Sequence, residues 1–196
     1  MLYLKREIFD GLSEKIGKSF SKIPMSPNQW TILSLILSVV TAYFLIKQDF
    51  VYASVVFFFM ACLDIIDGSV ARVSQKATKF GAYLDTVMDR ITEFLVVFGL
   101  FFVNLPDFLL SSKRWLLILF FGSQMTTYVK AAAFEKKLTD KELRGGILER
   151  PERLILLFIV ILLLNFSTTD SLYVLILAAV LTNLTALQRF YKASKS

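Results

Sequence analysis

The chain has 196 residues, a net charge of +6 and a pI near 9.4. Its residues are 56% apolar, 19 of them Phe, and the mean hydropathy is +0.62. A soluble domain is usually about 45–50% apolar, and here the apolar residues run in long blocks, so an all-α integral membrane protein is expected rather than a soluble globule. With no histidine, His-based acid–base or metal chemistry is excluded, and the lone Cys62 excludes an intramolecular disulfide. The basic balance fits cytoplasmic loops and anionic lipid headgroups better than nucleic acid.

Residues 1–22 open with Leu4, Ile8, Leu12, Ile16 and Phe20 spaced four apart, with charges on the other face. This pattern predicts an amphipathic helix lying in the membrane interface. Pro24 and Pro27 then break the chain. Ser26-Pro27-Asn28-Gln29 reads as a helix start, with Ser26 as N-cap, Pro27 at the first helical position and Gln29 completing a capping box. Six membrane-spanning helices follow between residues 27 and 192. The first runs from Trp30 to about Ile46, and the second starts near Phe50. The third starts near Lys79 and continues apolar through ITEFLVVFGLFFVNL, and the fourth runs from about Lys113 to Lys137. The loop TDKELRGG leads to the fifth, from about Pro151 to Leu164. Ser167–Asp170 is expected as an outer loop before the sixth, from Ser171 to about Tyr191. No linker divides the sequence, so residues 1–196 are expected to form one domain. Lys47, Lys113 and Arg114 fall on one side of this layout, and the other basic residues on the opposite side or at the adjoining helix ends. The second side, with both termini, is therefore expected to be cytoplasmic.

Asp64, Asp67, Asp85 and Asp89 interrupt the second and third spans at that cytoplasmic level. On a helix, Asp64, Asp67, Gly68 and Ala71 share one face, as do Gly81, Asp85 and Asp89. A short connection makes the two helices antiparallel neighbours, so the four carboxylates can converge. Each unpaired Asp near mid-bilayer costs about 2.5–3.5 kcal/mol, and mutual repulsion adds to that. An oxygen-rich cluster of this kind most simply recruits hard divalent cations, Mg²⁺ or Mn²⁺. An ion or proton transporter is the rival reading, but the outer halves of these spans, VYASVVFFF and FLVVFGLFF, offer almost no polar residue for a path across.

The spacing D-x2-D-G-x2-A-R-x8-G-x3-D-x3-D resembles the signature of the CDP-alcohol phosphotransferases, integral membrane enzymes that make phospholipid headgroups. The resemblance implies that an acceptor hydroxyl attacks the lipid-linked phosphate of a CDP-lipid (CDP-diacylglycerol or CDP-archaeol) and CMP leaves. It implies two metal ions held by Asp64, Asp67, Asp85 and Asp89, with Asp89 completing the second metal site or acting as general base. The CDP pocket would be shaped by Asp64, Asp67, Gly68, Ala71, Arg72 and Gly81. Asn28 and Thr31 also resemble family positions near the diphosphate. A homodimer is implied as well.

The acceptor must be read elsewhere. Lys130, Arg150, Arg153 and Arg189 all fall at the level of the aspartates, and a convergent cationic set suits a phosphorylated alcohol. Glu149 and Glu152 could instead neutralise the two neighbouring arginines structurally. YVKA, ERPERL and QRF resemble the inositol-phosphate-using branch, whose products are phosphatidylinositol phosphate and archaetidylinositol phosphate. Ala132 departs from that pattern, where a second basic residue is expected. This keeps glycerol 3-phosphate as the alternative acceptor. Glu93 continues the Asp89 stripe, either as support for it or as partner to a cation.

Overall fold

The computed structural model describes residues 6–74, 78–139 and 145–195. These residues form seven helices: α1 (Arg6–Phe20), α2 (Pro27–Ile46), α3 (Phe50–Val73), α4 (Lys79–Leu100), α5 (Ser112–Glu135), α6 (Arg150–Leu163) and α7 (Thr168–Ser194). Apart from a single Phe108–Leu110 bridge, no β pairing occurs among them. The all-α expectation holds. By length and apolarity, α2, α3, α5 and α7 qualify as membrane spans. The helices form two compact units, α1–α4 up to Val103 and α5–α7 from Asn104 onward, and each is described by itself.

In the first unit, α2 starts as the sequence predicts. Ser26 Oγ accepts the Gln29 backbone N–H, and the Gln29 side chain accepts the Ser26 N–H at 2.7 Å. These bonds satisfy N–H groups that a helix start otherwise leaves open. After Trp30, the buried stripe of α2 is Thr31, Ser34, Ser38, Thr41, Ala42 and Leu45, all small or hydroxyl-bearing except Leu45. Thin stripes of this kind let membrane helices approach closely. Two of their hydroxyls are satisfied within the helix, Ser38 donating to Leu35 O and Thr41 to Leu37 O. The opposite stripe, Ile32, Ile36, Val39 and Tyr43, is exposed. Ile91, Phe94, Phe98 and Phe102 form a matching stripe along α4 and just past its end. Such apolar ribbons suit lipid and not water.

α2 packs on both α3 and α4, and α1 packs on α3. The acidic faces of α3 and α4 meet as the sequence predicts, Asp64 of α3 standing beside Asp85 and Asp89 of α4. Gly99 lets α4 approach α2 closely: a Cβ there would lie 2.9 Å from Ala42 Cα. α4 ends at Leu100, short of the predicted apolar run, as the chain turns toward Pro106.

α1 is helical as expected. Leu4 and the side chains of Ile8 and Leu12 lie outside the described residues. Ile16 and Phe20 do not face outward; they pack with Met25 and Leu33 against Trp30, Ile66 and Val70. Phe20 meets Trp30 edge-on, ring centroids 5.8 Å apart. Gly17 permits this docking, because a Cβ there would stand 2.6 Å from Ser69 O and from Val73 Cγ2.

In the second unit, α7 packs on both α5 and α6. Gly122 lies against Asn183, whose Nδ2 donates to Ile118 O at 2.9 Å and to its own helix at Ala179 O. The predicted loop Ser167–Asp170 is shorter than expected. Ser167 Oγ accepts the Asp170 N–H at 3.2 Å, so Ser167 is the N-cap and Thr168–Asp170 form the first turn of α7.

Candidate active site

The α3 motif residues face a cavity of about 220 Å³ inside the first unit. Pro27, Asn28 and Thr31 of α2 form one wall; Asp67, Gly68, Ala71 and Arg72 of α3 another; Thr78, Gly81, Ala82 and Asp85 the third. Thr78 caps α4 by accepting the Gly81 N–H at 2.9 Å. Gly81 sits where space is tight: a Cβ would lie 3.1 Å from Thr78 Oγ1 and 3.2 Å from Asn28 Oδ1, and both side chains would have to give. Gly68 is different. A Cβ there would meet only the Arg72 guanidinium, at 3.6 Å or beyond, and otherwise open cavity.

That difference gives an expected result. Gly68→Ala should leave the fold intact, or raise stability by about 0.5–1 kcal/mol, since Ala is the better helix residue. The methyl would project into the cavity and weaken binding of whatever fills it. A thermal melt in detergent beside a substrate KM should separate the two effects; a lowered melting temperature with unchanged KM would contradict this reading.

Asp64, Asp85 and Asp89 each place a carboxylate oxygen within 4.8 Å of the others, and all three are half-buried. Asp85 also lines the cavity, so acids and cavity form one continuous site. Asp67 does not join this trio. It is buried, its Oδ2 lies 2.9 Å from Thr31 Oγ1, and its Oδ1 accepts the Gly68 N–H. Of four carboxylates expected to converge, the structure gathers three and holds the fourth against α2. Three hard oxygen donors around one point fit a divalent cation. Glu93 is buried and sits 3.4 Å from Arg90, which identifies the cation it pairs with.

Arg72 lines the cavity while its Nη2 donates to Ser13 Oγ of α1 at 2.6 Å. Pro27 and Thr78 were not singled out from the sequence as ligand-facing. Thr78, one residue before Lys79, carried an N-cap signal that could have found it.

Two of the four cations expected at the acceptor, Arg189 and Arg153, are joined through Glu149 in the second unit. Arg189 of α7 donates from Nη1 to Thr126 O at 2.8 Å, from Nε to Gly145 O at 3.3 Å, and from Nη2 to Glu149 Oε1 at 3.3 Å. Lys130 lies one turn beyond Thr126 on α5. Arg153 is one turn beyond Glu149 on α6, and its N–H bonds to Glu149 O. Arg153 is 2% exposed, the largest side chain so deeply buried. Arg150 is the first residue of α6. Glu149 does pair with Arg189, while Glu152 accepts the Glu149 N–H at 2.7 Å in a capping box. Residues 140–144 of the predicted loop lie outside the described residues.

The sequence profile of CDP-alcohol phosphatidyltransferase matches residues 24–186. The chain belongs to this family. A CDP-alcohol phosphatidyltransferase is an integral membrane enzyme, in keeping with the apolar helices described above. Among relatives of this CDP-alcohol phosphatidyltransferase is the archaetidylinositol phosphate synthase of Pyrococcus horikoshii, 32% identical over 185 residues that cover 93% of this chain and 90% of the relative. The phosphatidylinositol phosphate synthase of Corynebacterium glutamicum is 34% identical over 191 residues, covering 93% and 84%. The fold is similar to crystal structures of the Mycobacterium tuberculosis phosphatidylinositol phosphate synthase PgsA1. The form with CDP-DAG bound superposes with a TM-score of 0.77 at 28% identity, covering 92% of each chain. The complex with manganese and citrate gives 0.79 at 29% identity, covering 94% of this chain and 90% of that one.

Proposed function

We propose that this CDP-alcohol phosphatidyltransferase joins a CDP-activated lipid to inositol phosphate, releasing CMP and forming an inositol-phosphate phospholipid. The observation that carries the proposal is the continuity of the motif-lined cavity with the acid trio at Asp85. The relatives named for phosphatidylinositol phosphate and archaetidylinositol phosphate synthesis support the choice of acceptor.

In this reading Asp64, Asp85 and Asp89 hold divalent metal, Mg²⁺ or Mn²⁺, with Asp67 completing a two-ion site through its carboxylate. When bound, the metal neutralises diphosphate charge and the charge developing on the leaving CMP. Gly68, Ala71 and Gly81 keep the cavity wide enough for the CDP moiety, Thr31 fixes Asp67, and Arg72 offers its guanidinium to phosphate. The acceptor hydroxyl attacks the phosphorus that carries the lipid; the bond from that phosphorus to the CMP oxygen breaks. Asp89 takes the hydroxyl proton. Lys130, Arg150, Arg153 and Arg189 hold the phosphate of the acceptor, with Arg189 also bracing α5 and the residues that precede α6.

The family profile spans both compact units, which supports a single 1–196 domain. We assign six spans by adding α4 and α6 to the four that qualify. The exposed phenylalanines on and just beyond α4 support the first addition. α6 is about 21 Å long at about 1.5 Å per residue, and its exposed Ile155 and Leu162 support the second. α1 rests at the interface, its exposed Lys15 and Lys18 toward headgroups. The distribution of Lys and Arg supports cytoplasmic termini and a cytoplasm-facing site in the inner membrane. A homodimer is part of the same proposal.

Glycerol 3-phosphate remains the second reading because of Ala132. A panel of inositol phosphate, glycerol 3-phosphate, inositol and glycerol tests the choice. Inositol phosphate is expected to give the highest kcat/KM, and equal KM values for phosphorylated and unphosphorylated alcohols would overturn the anionic pocket.

A further inference from the structure

Arg72 forms a wall shared by two cavities. On one side is the motif-lined site; on the other, a pocket of about 410 Å³ lined by Ser13, Glu14, Lys18, Ser69 and Val73. Its two terminal nitrogens serve different sides. Nη1 is the nitrogen nearer the open face of Gly68. Nη2 donates to Ser13 Oγ at 2.6 Å and lies 3.4 Å from Ser69 Oγ. Ser13 Oγ and Ser69 Oγ are 2.8 Å apart, and Ser69 Oγ donates to Ile65 O, one turn back on α3, at 2.7 Å.

A hydroxyl has one proton to give. That of Ser69 is committed to Ile65 O, so Ser13 must donate to Ser69 Oγ, and Ser13 then accepts from Arg72. The bonds run in one direction, from guanidinium to Ser13, to Ser69, to a backbone carbonyl. Ser69 is fully buried and Gly17, one turn along α1 from Ser13, brings α1 against the Ser69 backbone. The chain of bonds therefore ends on a fixed point. A long side chain that would otherwise sample many rotamers is held in one, with its other nitrogen toward the cavity.

We propose that Ser13 is a positioning residue for the CDP-lipid diphosphate: the amphipathic helix α1 orients Arg72 through the Ser13–Ser69 hydroxyl pair before substrate arrives. α1 is thereby part of the nucleotide site as well as a membrane-facing element. The inference rests on the proposed CDP-lipid reaction.

Ser13→Ala removes the shorter of the two hydrogen bonds that hold Nη2, without adding bulk; only the 3.4 Å bond to Ser69 Oγ is left, and the substrate must supply the rest of the ordering. Ordering one rotamer-rich side chain on binding corresponds to roughly a three- to tenfold weakening. The expected result is a rise of that size in the KM for CDP-lipid and in the Kd for CDP measured by calorimetry. The KM for acceptor and the melting temperature should stay at the wild-type values, and Ser13→Thr should restore binding. In an Arg72→Ala background, Ser13→Ala should have no further effect, because Ser13 acts only through Arg72. Wild-type CDP affinity in Ser13→Ala, or an equal added loss in the Arg72→Ala background, would overturn the proposal. If wild-type protein releases CMP while Ser13→Ala binds CDP normally, only this inference fails. If wild type releases no CMP with any acceptor, the reaction itself has been misread.

Discussion

Asp89→Asn is expected to lower kcat by about 10²–10⁴-fold, the contribution typical of a positioned general base. Asn has nearly the volume of Asp and keeps one oxygen, so the helix and cavity should be unchanged. What it loses is the ability to take the acceptor proton, a step that counts only in the transition state. The loss should therefore appear in kcat, with the KM for CDP-lipid and acceptor little altered. Asp64→Asn provides the contrast. If Asp64 serves only as a ligand, its replacement should raise the Mn²⁺ concentration needed for half-maximal rate, and excess Mn²⁺ should recover part of the activity. Recovery of Asp89→Asn by excess Mn²⁺ to near wild type would assign Asp89 to metal binding alone.

Lys130→Met should raise the KM for inositol phosphate by roughly 10- to 150-fold, the range that corresponds to losing one charge-assisted hydrogen bond of about 1.5–3 kcal/mol. Met retains most of the aliphatic stem, so helix packing is preserved while the ammonium is removed. Unphosphorylated inositol, which has no phosphate for the ammonium to hold, should be insensitive to the change. A parallel loss toward both alcohols would place Lys130 in the framework instead.

Much of this site can be read along the chain because its residues share helix faces. Period-four spacing groups Gly81, Asp85 and Asp89, and the same rule groups Asp64, Asp67, Gly68 and Ala71. The start of α2 was equally legible, since Ser26, Pro27 and Gln29 act within one turn. What escaped depends on contacts between helices. The short connection between α3 and α4 announces their meeting acids, but not that α2 packs on both and walls the cavity beside them. Asp67 shares a face with Asp64, yet Thr31, 36 residues earlier, draws it to α2. α1 reads as an interfacial helix from its charges, but Ile16 and Phe20 pack against α2 and α3 and Ser13 reaches Arg72, 59 residues away. No local pattern announces a serine that acts through a remote guanidinium. Arg189 looks like one more cation near the cytoplasmic side until its acceptors, two of them backbone carbonyls, are known.

CMP release tests the central claim most directly. Purified protein in detergent is supplied with CDP-diacylglycerol or CDP-archaeol, inositol phosphate, and Mg²⁺ or Mn²⁺, and free CMP is measured with and without chelator. The structure and the family predict metal-dependent CMP release in step with formation of an inositol-phosphate lipid, slowed by about 10²–10⁴-fold in Asp89→Asn. Absence of CMP release with either lipid and every acceptor in the panel, in the presence of both metals, would contradict it.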